Sequence, residues 1–218
     1  MCVEQEKEVS LYKRSLIYVI GIFFVSLGIV LCKKCGMGIS PISSIPLVLS
    51  YVTPLTFGML TSLFHFVNTA LQMILSKNMW NVKIWLQIPL AFVFGWVIDW
   101  LNGMIRLENM GLVMQIAALF GSVFFTALGM VCMLDMNLIQ NPPDGTVRHL
   151  SLLLRKDLGT VKIGYDLVCV ISSVLLSIVF LGRVEGFGIA TVISALFVGK
   201  TIGWIRQVSA YFRHFPGC

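Results

Sequence analysis

Residues 36–50 read GMGISPISSIPLVLS, and how this stretch is read decides the fold. It is apolar enough for a membrane interior, yet Gly36, Gly38, Pro41 and Pro46 interrupt any continuous helix. A second interruption, NLIQNPPDGTVRHLS, occupies 137–151. If such a segment crosses the bilayer, each half of the chain has four crossings and the halves run parallel. If it only dips in, each half has three, and an odd count inverts one half relative to the other.

Working outward, apolar runs near 15–32, 57–76, 84–103, 111–133, 163–181 and 186–205 are each long enough to span, which takes roughly 20 residues. The composition agrees: 57% of the 218 residues are hydrophobic, 12% are charged, and the mean hydropathy is +0.90. A soluble domain has roughly 45–50% apolar and 25% charged residues. The net charge of +6 does not indicate nucleic-acid binding, because Lys and Arg lie between apolar runs rather than on one exposed face. LCKKC follows the first run instead of a small-residue cleavage site, so an uncleaved helix is expected there.

The chain also matches itself. At an offset of 101, Phe23, Phe24, Leu27, Gly28 and Val30 meet Phe124, Phe125, Leu128, Gly129 and Val131; Pro41 meets Pro142 and Ser50 meets Ser151. Beyond Ser151 the offset becomes 104, pairing Thr56 with Thr160, Gly95 with Gly199 and Trp100 with Trp204. The expected organisation is therefore an N-terminal segment 1–14, a first repeat 15–103, a linker 104–110, a second repeat 111–205 and a tail 206–218. Six crossings with the N-terminus inside leave only Lys33, Lys34, Arg106 and Arg183 outside, which fits the positive-inside bias; eight crossings weaken it. The fold class is thus an all-α polytopic membrane bundle of two inverted repeats. Each repeat has three spanning helices and one short broken, re-entrant segment.

GMGISPISSIPLVLS, PPDGTVRHLS, VKIGYD and GIATVISALFVG together resemble bacterial YczE/YyaS/YitT-type integral membrane proteins over about residues 15–205. The resemblance implies a multi-spanning protein of the bacterial plasma membrane, with a transport role and no assigned substrate. It also implies a PxD turn, matched by Pro142, Pro143 and Asp144, and a following KxxxD element, matched by Lys162 and Asp166.

Charges inside a membrane are costly and mark function by default. Asp144 and Arg148 are spaced i,i+4, as are Lys162 and Asp166, so each pair shares a helix face. Either pair can be a self-contained ion pair or a contact for a charged or zwitterionic ligand. Asp166, a turn deeper than the snorkelling Lys162, is the candidate for a protonatable or sodium-coordinating group. Asn141, at the start of the second broken segment, joins these as a candidate contact. Ser40, Ser43 and Ser44 offer hydroxyls at the first break, though serines also bond back within helices. His65 and Asn68 share a face of the second long helix, where polar residues also serve as interhelical glue. Asp99, among Trp96 and Trp100, is expected to be an interfacial, water-facing acid.

Of the six cysteines, only Cys32 and Cys35 have suggestive spacing, and one CxxC is half a zinc site. No metal or other cofactor is expected. HExxH, GxSxG and the Walker loop are all absent from the sequence, so no enzyme activity and no self-powered pump is expected. The leading reading is a secondary transporter or permease for a small organic solute, bound between the broken segments, with both termini cytoplasmic. The alternative is a non-transporting membrane partner: a substrate-binding subunit of a multiprotein importer, or a helper of another enzyme. Expected partners are the lipid bilayer, the small-molecule substrate and a second copy in a homodimer.

Overall fold

Why three crossings per half and not four is visible at the ends of the helices. A computed structural model describes residues 10–76, 81–106 and 111–213, with side chains to residue 208. The segment before Ser10, Lys77 of the expected cytoplasmic loop, most of the 104–110 linker, and Cys2 and Cys218 lie outside the described residues. The described residues form α1 (Leu11–Lys34), α2 (Pro41–Val52), α3 (Phe57–Ser76), α4 (Val82–Trp85), α5 (Gln87–Met104), α6 (Leu112–Met136), α7 (Pro142–Leu154), α8 (Leu158–Leu181) and α9 (Ile189–Arg213). Six spans, at 11–34, 57–76, 82–104, 112–136, 158–181 and 189–208, are long and apolar enough to cross a membrane. α4 and α5 make up one of them; they separate at Leu86, because Pro89 has no N–H to bond back to Trp85.

α2 has 12 residues and rises about 18 Å, too little for a hydrocarbon core of about 30 Å. Its neighbours confirm that it turns back. The Lys33 ammonium lies 4.7 Å from the Phe57 ring centre, so α1 ends at the level where α3 begins. At this same end the Ile39 N–H donates to Gly186 O, in the loop joining α8 to α9. The opposite end is defined by Arg14, which donates to Met136 O at the close of α6, and by Arg206, paired with Asp135 at 3.0 Å. α6 finishes at this second end and α8 must start from it, since α8 finishes at the first. α7 therefore also dips and returns.

The halves are related by a pseudo-two-fold axis. α1 and α6 pack antiparallel, and Phe24 stacks on its own repeat counterpart Phe125 with ring centres 5.8 Å apart and planes 9° apart. Gly28 lies against Ser122 and Thr126, and its counterpart Gly129 against Gly21 and Val25, so the same notch is used twice. A Cβ at Gly129 would come within 2.5 Å of Gly21 O. Each broken segment then starts alike: a left-handed residue (Gly36, φ 71; Asn137, φ 48), an extended cap (Ser40; Asn141), and proline at the first helical position.

The symmetry fails in one place. α3 packs closely on α5, but their counterparts α8 and α9 do not form a packed pair. Only 17% of the α8 and α9 span residues are buried, against 44% in the other four spans. The sequence supplies the cause. Gly58 and Ser62 let α3 approach Gly95 and Ala91 of α5. Their repeat counterparts are Lys162 and Asp166, charged side chains that pair with each other, Lys162 also reaching Asp144 of α7.

Candidate functional site

α7 projects its first turn between α3 and α8. Asn141 caps the helix start without bonding to its backbone; instead its Nδ2 donates to Asp144 Oδ2 at 3.2 Å. Asp144 therefore sits in the first turn, where the helix dipole favours an anion. Its Oδ1 is 3.5 Å from Lys162 Nζ, and Asp166 Oδ1 lies 3.7 Å from the same ammonium. Both carboxylates are largely enclosed, with 16% of each side chain exposed, against 39% for Lys162. α8 itself starts on Asp157, whose carboxylate accepts from the Thr160 hydroxyl and N–H; these bonds hold Asp157 below the usual carboxylate range.

Two acids and one base leave one negative charge in excess. Asp166 Oδ1 and Asn141 Oδ1 are buried without a hydrogen-bond partner among the described residues. The arrangement can take up a proton, a cation or the donor group of a ligand.

Asn68 ties the surrounding helices together. Its Oδ1 accepts from Tyr165 OH at 2.6 Å, its Nδ2 donates to Phe64 O, and its carbonyl accepts from Thr146 Oγ1 at 3.1 Å. Beneath it Gln72 and Gln87 exchange both amide bonds, at 2.8 and 3.1 Å, and Gln72 also donates to Pro142 O. Asn68, Gln72 and Thr146 are each 1% exposed, and Gln87 is 2%. Gln72, Gln87 and Thr146 were not singled out in the sequence, although a glutamine inside an apolar span is itself a signal of interhelical bonding.

Other candidates fall elsewhere. Arg148 makes no ion pair with Asp144 despite the spacing; Lys162 takes that place, and Arg148 lines a cavity with His149. His65 is 4% exposed, packs 5.0 Å from the Phe94 ring and has no partner for Nδ1 among the described residues. The serines stay apart from the acids: Ser40 donates to Ser43, and Ser44 donates to Pro41 O at 2.6 Å and Cys169 O at 3.4 Å. α2 and α7 do not pack on each other; each packs on both α3 and α8. Asp99 is not a free interfacial acid. It accepts from Thr56 Oγ1 and from Gly58 N at 2.8 Å, and so caps α3 from the end of α5. Cys35 donates to Cys32 O at 2.9 Å, and both thiols are free and buried.

No curated protein and no solved structure matches the chain, so the likeness to YczE/YyaS/YitT-type proteins rests on motifs alone. The family of unknown function DUF6198 matches residues 12–207, and the chain belongs to that family.

Proposed function

We propose that this protein is a secondary transporter or permease for a small organic solute. The observation that carries the reading is the largely enclosed Asp144–Lys162–Asp166 cluster, held at the start of a broken helix where the two repeats meet. Broken helices related by an inverted repeat are the usual site-forming device of secondary transporters. Asn141, Asp144, Lys162 and Asp166 contact the solute or its coupling ion, and rocking of one half on the Phe24–Phe125 seam exposes the site to each side in turn. No catalytic step belongs to this reading.

The test is flux. Proteoliposomes holding the purified chain should take up at least one member of a metabolite library, and Asp166→Asn should cut that uptake at least tenfold while leaving the melting temperature nearly unchanged. No flux of any solute under proton, sodium or solute gradients would overturn it. The low burial of α8 and α9 supports a second reading, a membrane subunit that docks another protein there. Stable co-purification with ATPase subunits, together with absent flux, would select it.

A further inference from the structure

Two cavities at opposite ends of the bundle are repeat copies of each other. One, of about 360 Å³, lies between the end of α6, the middle of α7 and α4. The other, of about 410 Å³, lies between the end of α1, α2 and the loop joining α8 to α9. The repeat register carries Gly36 to Asn137, Met37 to Leu138 and Gly38 to Ile139, each a wall of one cavity matched to a wall of the other.

One backbone plan thus carries two chemistries. Where the second cavity has Leu47 and Phe187, the first has Arg148 and Lys83. Val48 and Ile39, both 0% exposed, have His149 and Gln140 as counterparts lining the first cavity. The fold does not require these polar residues, because the sister site does without them. A positive-inside bias accounts for Lys83 and Arg148 near one end, but not for a histidine, a glutamine and the buried Gln72–Gln87 pair around the same space. No acidic side chain lines this cavity among the described residues, and neither Lys83 nor Arg148 is in an ion pair among them. The second cavity is lined by both an acid, Glu185, and a base, Lys33. His149, whose Nδ1 donates to Gly145 O at 2.8 Å, also lines the first cavity. A small neighbouring cavity shares Met133, Leu134, Ile139 and Gln140 with the cationic one and continues to Asn141 and Asp144.

We propose that the cavity lined by Lys83, Arg148 and His149 binds a small oxyanion, a carboxylate or phosphate group carried by an organic molecule. Its volume suits such a ligand. Arg148 supplies a fork for two oxygens, Lys83 a point charge, and Gln140 a donor on the path toward Asp144. Naming the anion as cargo rests on the transporter reading; its binding does not. Anionic lipid headgroups share this chemistry, and the experiment separates the two sources.

The full chain is placed in phosphatidylcholine nanodiscs, and its melting temperature is followed against inorganic phosphate and succinate at constant ionic strength. In a further arm, phosphatidylglycerol replaces part of the lipid. A ligand that binds the folded state raises apparent stability. A saturable rise is expected with phosphate or succinate, and the Lys83→Gln/Arg148→Gln variant should need at least about tenfold more anion for the same rise. Phe187→Leu, at the counterpart of Lys83, should leave the response unchanged. A rise with phosphatidylglycerol alone, lost in the double variant, identifies a headgroup as the oxyanion. No rise in any arm, or an equal rise in the double variant, overturns the proposal. Anion binding without flux in proteoliposomes would reject transport and keep this site; flux without anion binding would do the reverse.

Discussion

Lys162 decides what the enclosed acids do. It stands between Asp144 and Asp166 and is near enough to attract both, while Asn141 Nδ2 donates to Asp144 Oδ2. Removing Asp166 leaves a neutral Lys162–Asp144 pair, whereas removing Lys162 leaves two carboxylates facing each other in a poorly hydrated site. Lys162→Gln should therefore destabilise by about 1–3 kcal/mol, short of the roughly 3–5 kcal/mol of a fully buried pair because the lysine is partly exposed. Asp166→Asn should cost clearly less, and Asp144→Asn added to Lys162→Gln should recover part of the loss. Thermal or denaturant melting in nanodiscs gives the order; a Lys162→Gln variant as stable as Asp166→Asn would mean that the cluster is open to water. These three charges were legible in the sequence because ionisable residues in apolar runs are rare. Their partners were not. The i,i+4 spacing suggested Asp144 with Arg148, but a residue pair on one helix face is only available for pairing, and the packing of α7 on α8 brought Lys162 closer.

At the scale of the elements, the broken helices could be read directly, since proline at the first helical position and a residue tolerant of positive φ before it leave a plain trace. What the chain does not spell out is which helix each segment packs against. Apolar periodicity marks a buried face but names no partner, and so α2 and α7 were expected to meet when each packs on α3 and α8. The separation of α8 from α9 was half legible: Gly95 matched Gly199, while Gly58 stood opposite Lys162 across the repeat. A direct consequence follows for these glycines. A Cβ at Gly58 would strike Gly95 O and come within 2.5 Å of Asp99 Cγ, while nothing lies within 4 Å of one at Gly199. Gly58→Val should cost about 1–3 kcal/mol, as overpacking does. Gly199→Val should stay within about 0.5 kcal/mol, as substitutions at open positions do. Equal losses in the two variants, measured as melting shifts, would show that α9 closes on α8 as α5 does on α3.

For the whole molecule, the pseudo-two-fold through Phe24 and Phe125 makes one relation inescapable: whatever faces outward beside α2 faces inward beside α7. Lys34 and Leu55 flank α2, and Asn137 and Lys156 flank α7, so each pair must share a side and the two pairs must differ. By the positive-inside bias, the end bearing Arg14, Lys83, Arg155, Lys156 and Arg206, the more basic of the two, is the one expected inside. Four single-cysteine variants at positions 34, 55, 137 and 156, in a background without the native cysteines, test both statements with an impermeant maleimide on intact cells. Positions 34 and 55 should label at once, and positions 137 and 156 only after permeabilisation. Different behaviour within either pair would mean that the short helix between them crosses the bilayer, and the inverted architecture would fall. The reverse assignment of both pairs would keep the architecture and turn the molecule over. The cation-lined cavity would then open outward, and Arg148 and Lys83 would meet their oxyanion from outside the cell.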